Sequence, residues 1–500
     1  MKKIRIYLLA LVTGLLFLPT SCSEDFLETR PTDQLAAGDV FGSIQGAWGA
    51  INGIHRSMYI QYNSVQAHGG MDGLYRYIDF LGQDVLFNTT TNRWYLSAHG
   101  WVDHRNERSN AVLYWTNLYR MISNINQVIV NIDNVPDGTE AEKRHIKGQA
   151  LAYRAWAHFM LVQLWADRFE PGGANTHTGV PYMEDITFDG HARNTVAEVY
   201  SKINADITAA ITNLEGYNRA NKSHIDKQVA QAIQAQIALV QGDWNLAATA
   251  ANAAKQGYNF MSHAQHHEGY SSISNPEFMW ANYVQEDQTM YFYSFYAYMS
   301  HTFNSTAIRQ SPKSILKDLY DQISDTDIRK ELFYPNAVAD KQPTVPPNGV
   351  RFNYMSSKFK SVSVSDSRGD FPWIRVAELY LIEAEALARQ AGKEEQAKDV
   401  LFELANDRDP MYVRSTNSGQ ALIEEILIQR RIELWAEGRS WTDLKRLNLP
   451  LERPEGVTGG DGRHIAAIAQ KLSEPAGTNE WTWMIPRSEI DTNPNLDQNP

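Results

Sequence analysis

The chain has 500 residues, 43% of them hydrophobic and 21% charged, which is enough apolar material for a large core and excludes disorder as a description of the whole. The formal net charge is −12, so the surface repels phosphate backbones and nucleic acid is not expected as a partner. A single cysteine, at position 22, excludes an internal disulfide and a zinc site built on several thiolates.

Residues 1–21 read as a targeting segment. Lys2, Lys3 and Arg5 precede an apolar run from Ile6 to Leu18. The run is too short to span a bilayer comfortably, which takes about 20 apolar residues. Thr20 and Ser21 then lead into Cys22. This arrangement resembles a bacterial lipoprotein signal, cut before a cysteine whose sulfur receives a diacylglycerol. A plain secretory signal with a chance cysteine is the alternative. Ser23-Glu24-Asp25 resembles the acidic tag that sends Bacteroidetes lipoproteins to the outer face of the outer membrane. Lipid chains contribute about 0.8 kcal/mol per buried CH₂, so they anchor a body that has no spanning helix.

The body reads as mostly α. Val112, Trp115, Leu118, Ile122, Ile125 and Ile129 fall near helical spacing in 110–132, and Leu151, Ala155, Phe159 and Val162 continue it in 140–166. Thr195, with Glu198 three positions on, is a capping box that opens a helix over 195–215. Two Ala-rich helix pairs are predicted, 225–241 with 244–256 and 373–391 with 393–406. They are split by Gly242-Asp243 and by Gly392, and each resembles a tetratricopeptide hairpin. The copies are dispersed in sequence, so a plain solenoid is not expected. A last helix is predicted over 421–437. Residues 60–105 and 258–372 are rich in Gly, Asn, Ser, Tyr and Trp with weak periodicity. They read as loops and short strands that form a binding surface.

Six motifs in order resemble one family, the SusD/RagB-like outer-membrane nutrient-binding lipoproteins. They begin with the CSEDFLE start at Cys22–Glu28 and with Trp115, Tyr119, Ile122 and Asn126. Arg154-Ala155, Phe159 and Gly179-Val180-Pro181 follow, then Arg375, Glu378, Leu381 and Ala384-Glu385-Ala386. The series ends with Arg430, Glu433-Leu434, Glu437-Gly438-Arg439 and Asp443-Leu444, and with Ile485-Pro486, Glu489, Asn493-Pro494 and Gln498-Asn499-Pro500. Trp165-Ala166-Asp167 departs from the aromatic-glycine pair common there, and Gln429 replaces a usual Glu. The resemblance runs from Cys22 to Pro500, with 22–260 and 261–500 as the N- and C-terminal regions of one compact body. It implies an α-helical scaffold with tetratricopeptide-like hairpins and a loop-rich, minor-β binding surface. It also implies a partner, a SusC-like TonB-dependent β-barrel transporter, to which a bound glycan is delivered without being cleaved. Peptides are the alternative ligand within the family.

Most of these motif residues read as structural. Glu437 and Asp443, flanked by Arg430, Arg431, Arg439, Lys445 and Arg446, suggest partly buried helix-end ion pairs or caps. The binding signal is aromatic. Ten of the 26 residues from Phe278 to Phe303 are Phe, Tyr or Trp, against 11% for the chain. Rings cover the CH faces of sugars, while Tyr OH, Trp NH and neighbouring Asn, Asp or Arg side chains meet the hydroxyls. Core burial is the competing role for each ring. From 72–105 the candidates are Trp94 and Trp101 as stacking platforms, with Asp84 and Arg93 as hydrogen-bonding groups. From the aromatic run they are Trp280, Tyr283, Tyr291 and Tyr296.

No cofactor is expected. His263, His266 and His267 lack a third-ligand pattern, and Ser324-Asp325-Thr326-Asp327 lacks the Gly and terminal Glu of an EF-hand loop, although a structural calcium stays open. A surface glycoside hydrolase would need paired carboxylates. The chain shows no G-x-S-x-G and no phosphate-binding glycine loop.

Overall fold

The computed structural model describes residues 37–500, except 63–65, 67–68, 110, 188, 289 and 458–459. The targeting segment and Cys22 lie outside the described residues. The fold is mostly helical. Its long helices are α1 (Ile44–Ser57), α2 (Met71–Leu81), α3 (Val112–Asn131), α4 (Glu140–Trp165), α5 (Val196–Asn213), α6 (Lys227–Gln241), α7 (Trp244–Lys255), α8 (Val376–Ala388), α9 (Glu394–Arg408), α10 (Gly419–Glu433) and α11 (Ser440–Arg446).

Local sequence explains most boundaries. Thr195 Oγ1 accepts the Glu198 N–H at 3.2 Å, and the Glu198 carboxylate accepts the Thr195 N–H at 2.8 Å. Together they satisfy two of the orphan donors that open α5. Thr139 and Glu142 do the same for α4. Gly242 ends α6 at φ 71°, in the left-handed region that glycine enters without a Cβ penalty.

The two sequence-dispersed hairpins are neighbours in space. The α6–α7 pair packs against the α8–α9 pair through α7 and α8, although 120 residues separate the two in the chain. Ala247, Ala250, Ala251 and Ala254 on α7 and Ala377, Ala384 and Ala388 on α8 are buried, and such small side chains let the backbones approach. A buried ion pair, Lys255 to Glu383 at 2.7 Å, crosses the same contact. Helices α3, α4, α5 and α6 extend the stack on the other side.

The segment between the two hairpins, with Val85–Phe87, supplies short strands. Strands β1 (Val85–Phe87), β2 (Phe278–Ala281), β3 (Lys313–Ile315), β4 (Phe333–Tyr334), β5 (Met355–Ser356) and β6 (Pro372–Arg375) form an antiparallel sheet in the order β1-β3-β5-β4 and a separate β2-β6 ribbon. Phe87 faces Lys313 across β1-β3, and Phe278 faces Arg375 across β2-β6.

Buried charge joins these layers more deeply than the expected partly buried helix-end pairs. Glu433 accepts hydrogen bonds from Arg329, Arg375 and Arg408 at 3.0–3.2 Å, and its side chain is 1% exposed. Glu277, Glu437 and Asp327 complete the anions, and Lys358 is the fourth cation. A second set joins Arg430 and Arg446 to Asp443, Arg446 to Glu385, and Arg439 to Glu378, all at 2.6–2.8 Å. Arg431 and Lys445 stand apart from both sets. Arg431 pairs with Asp84, and Lys445 donates to the Gln163 and Ala166 carbonyls at the end of α4.

Candidate functional site

Helix α2 organises the site. All eleven of its residues are buried, and three of them are charged: Asp72, Arg76 and Asp79. Each is held by a distant segment. Asp72 accepts the Phe295 N–H at 3.1 Å. Arg76 donates to the Ser294 carbonyl and the Tyr95 hydroxyl. Asp79 accepts the N–H groups of Gly438, Arg439 and Ser440, where α11 begins. Arg453 closes the C-terminal end of α2 by donating to the carbonyls of Phe80, Leu81, Gly82, His99 and Lys471.

Over this helix lies a cavity of about 380 Å³, a size in the range of small-ligand pockets. Loop residues Thr91, Asn92, Arg93, Trp94, Tyr95, Ser97 and Asp103 line it, with Tyr77 from α2 and Tyr114 from α3. Asn92 Oδ1 accepts the Trp94 N–H at 3.2 Å and so fixes the turn that presents the indole. Trp94 is half-buried and meets Tyr298 edge-on at 6.1 Å. Arg93 is exposed at the rim. Burial pushes the Asp103 carboxyl up, while hydrogen bonds with Ser97 and Tyr77 oppose the rise. Burial, and then the Asp103 charge, hold the Tyr77 phenol well above its usual range. The cavity therefore offers one indole, three phenols, an amide, a guanidinium and one carboxyl.

Four of the candidate residues lie elsewhere than expected. Asp84 is buried, its carboxylate gripped by Arg431 at 2.6 and 3.2 Å and its carbonyl by the Trp435 indole, so it braces α10 and faces no ligand. Trp101 is 2% exposed, donates to the Leu81 carbonyl and packs on Trp481 at 4.9 Å. Trp280 is 0% exposed between Tyr153, Trp156 and Trp373. Tyr296 is buried, with its hydroxyl donating to the Tyr270 carbonyl. None of the three rings has a face left for a sugar. Arg93 and Trp94 do line the cavity. Tyr283 and Tyr291 are exposed, at 40% and 68%, and Tyr291 has a left-handed φ of 40°.

Sequence reasoning did not single out Thr91, Ser97 or Tyr114. Tyr114 sits beside Trp115 on α3 with nothing in its spacing to separate it from core.

Two other surface cavities, of about 430 and 500 Å³, share Asp167 and His177, and their one aromatic ring, Trp481, is buried. The histidine cluster diverges: His266 bonds Tyr270, His263 bonds the Asp407 carbonyl, and His267 meets Glu331. Among the described residues no group of three or more side chains is arranged to hold a metal ion. In the Ser324–Asp327 turn the carboxylates already carry cations, Asp325 with Lys330 and Asp327 with Arg329.

Comparison with known proteins places this geometry. Residues 61–239 match a SusD-like family model described as starch-binding, associating with the outer membrane. SusD-like protein P38 of Formosa agariphila is 25% identical over 400 residues, 71% of this chain and 75% of that protein. The crystal structure of a SusD-like carbohydrate binding protein from Bacteroides vulgatus superposes with a TM-score of 0.80 at 26% identity, covering 91% of this chain and 97% of that one. Surface glycan-binding protein A of Bacteroides thetaiotaomicron, in complex with laminarihexaose, has a TM-score of 0.65 at 16% identity and covers 91% and 99%, a likeness of fold. In fold over nine-tenths of the chain, and in sequence over residues 61–239, the chain is similar to the SusD-like proteins.

Proposed function

We propose that the chain binds a glycan in the Trp94 cavity, leaves it uncleaved, and passes it to a SusC-like TonB-dependent barrel at the outer membrane. The observation that carries this reading is the half-buried indole of Trp94 set among phenol, amide and guanidinium groups in an open cavity of about 380 Å³. A ring covers the apolar face of a pyranose while the polar groups meet its hydroxyls. Asp103 is the one carboxyl in that lining, whereas glycoside hydrolysis uses two flanking the scissile bond. The carbohydrate binding named for the Bacteroides vulgatus relative and the laminarihexaose held by the Bacteroides thetaiotaomicron protein support the ligand class. Tyr283 and Tyr291 are outer contacts in this reading. Among the described residues no helix is long and apolar enough to cross a membrane; in this reading a lipid on Cys22 holds the chain at the membrane.

The test is affinity electrophoresis and calorimetry of residues 23–500 against a panel of polysaccharides and peptides, with product analysis. Retardation by a polysaccharide without new reducing ends is expected, and Trp94→Ala should weaken binding about tenfold or more. Shorter oligomers, binding to peptides alone, or unchanged affinity in Trp94→Ala would each overturn the reading.

A further inference from the structure

We propose that Arg76 is a positioning residue for the Trp94 cavity: its guanidinium, set beside two tyrosine rings, fixes the wall against which Trp94 leans. The inference rests on reading that cavity as the ligand site.

Arg76 is buried, and Asp72 one turn before it on α2 attracts its charge. The guanidinium also faces aromatic rings. The guanidinium carbon lies 4.8 Å from the Tyr95 ring centroid and 4.4 Å from that of Tyr298. Nη2 donates to the Tyr95 hydroxyl at 2.7 Å, and Nη1 to the Ser294 carbonyl at 3.1 Å. The two rings stand edge-to-face at 5.1 Å and 87°. Trp94 then meets Tyr298 edge-on at 73°. One turn before Arg76 on α2, Asp72 holds the Phe295 N–H, so two side chains of one helix grip the 294–298 turn that carries Tyr298.

A buried cation beside two π faces is attracted to both. Its planar fork bonds one ring's hydroxyl and a backbone carbonyl while its carbon lies over the other ring, a combination that the point charge of an ammonium does not match. Tyr95 lines the cavity and Tyr298 braces Trp94 from behind. The spacing of the wall is thus set by a residue outside the cavity lining.

The test has two arms. The first uses no ligand. Acrylamide quenching of each chain, compared with its Trp94→Phe counterpart, isolates the Trp94 contribution. In Arg76→Met and Arg76→Lys the Trp94 quenching constant should rise, and an unchanged constant in both overturns the proposal. Arg76→Lys keeps the charge and stem, so it serves if Arg76→Met does not fold. The second arm uses laminarin in affinity gels and laminarihexaose in calorimetry. Arg76→Met should bind about tenfold more weakly, and the loss in Arg76→Met/Trp94→Ala should be smaller than the sum of the two single losses, since Arg76 acts partly through Trp94. Additive losses overturn the proposal. Failure of the unmodified chain to bind either probe counts against laminarin as the ligand of the proposed function, and the positioning role is then decided by the quenching arm.

Discussion

Replacing Glu433 with glutamine tests whether the scaffold is held by buried charge. Glu433 Oε1 accepts Arg375 at 3.0 Å and Arg408 at 3.2 Å, and Oε2 accepts Arg329 and Arg408 at 3.1 Å each. Four buried anions, Glu277, Glu433, Glu437 and Asp327, face four cations, Arg329, Arg375, Arg408 and Lys358, and the more exposed Asp407 also pairs with Arg408. Burial raises the Glu433 pKa, but Arg408, Arg375 and Arg329 outweigh it and hold the carboxyl well below its usual range. The neutral amide of Glu433→Gln would remove the one carboxylate shared by Arg329, Arg375 and Arg408 where the native side chain is 1% exposed, and would turn N–H donors towards their guanidinium groups. Breaking one member of such a set costs about 3–5 kcal/mol. The assay is the urea unfolding midpoint of Glu433→Gln against Glu395→Gln, whose carboxylate pairs with Arg414 in solvent. Glu433→Gln should shift the midpoint strongly and Glu395→Gln should not. Equal shifts would refute the reasoning, because the buried pairs would then be worth no more than surface ones.

Arg453→Met should destabilise the fold by about 3 kcal/mol or more, because the carbonyls that end α2 lose their donors in a dry site; a urea midpoint within error of the parent would refute this. Gly438→Ala should be unstable too, since Gly438 sits at φ 79° and a Cβ there would lie 2.5 Å from Tyr75 Cδ1; a melting temperature equal to the parent's sinks that expectation. Burial lowers His158 to about 3, with Nδ1 bonded to the Arg154 carbonyl. Its folded pKa is below the unfolded value, so its contribution is complete above about pH 6.5 and is lost as pH falls towards 3, by about 1.4 kcal/mol per unit. Stability curves of His158→Gln and the parent should therefore converge or cross as pH drops from 7 to 4.5, and parallel curves would contradict the assignment. Arg430 and Arg446 outweigh burial to hold Asp443 at about 2, so its contribution is present above about pH 4 and is lost between 4 and 2; Asp443→Asn should flatten the acid limb there, and an unchanged limb counts against it.

The scaffold was legible where one face of a helix meets water. The helices over 110–132 and 195–215 match α3 and α5 within a few residues because their polar faces preserve the period, and 140–166 matches α4 through the spacing of Leu151, Ala155, Phe159 and Val162, although nearly all of Gly148–Trp165 is buried. Helix α2 was missed although Met71, Leu74, Tyr75, Ile78 and Leu81 fall at helical spacing, because Asp72, Arg76 and Asp79 on its other face read as part of a solvated loop while the fold buries all three. The predicted 421–437 helix ends at Glu433, because Ala436 at φ 59° and Gly438 at φ 79° turn the chain so that Glu437 reaches Arg375 and Lys358. The site was half legible for a similar reason. Aromatic density marks core and surface alike, so Trp280 and Tyr296 were indistinguishable in sequence from Tyr291. Trp94 follows an Asn-containing turn that presents it, whereas Trp101 follows a short helix, Leu96–His99, that lays it against Leu81.

The charges on α2 explain how a loop-built cavity keeps one shape. Apolar contacts do not set register, because one ring slides over another at little cost. Bonds to named backbone groups do set it. Asp79 ties α2 to the start of α11, which belongs to the ion-paired scaffold through Asp443. Asp72 and Arg76, one turn apart on the same helix, tie it to 294–295 and to Tyr95. The cavity walls thus inherit their positions from the scaffold through a single buried helix rather than from each other. Loosening Asp79 should therefore disturb the fold, whereas loosening Arg76 should disturb the cavity first, and the two variants separate stability from binding in a way that a cavity held by ring packing alone would not.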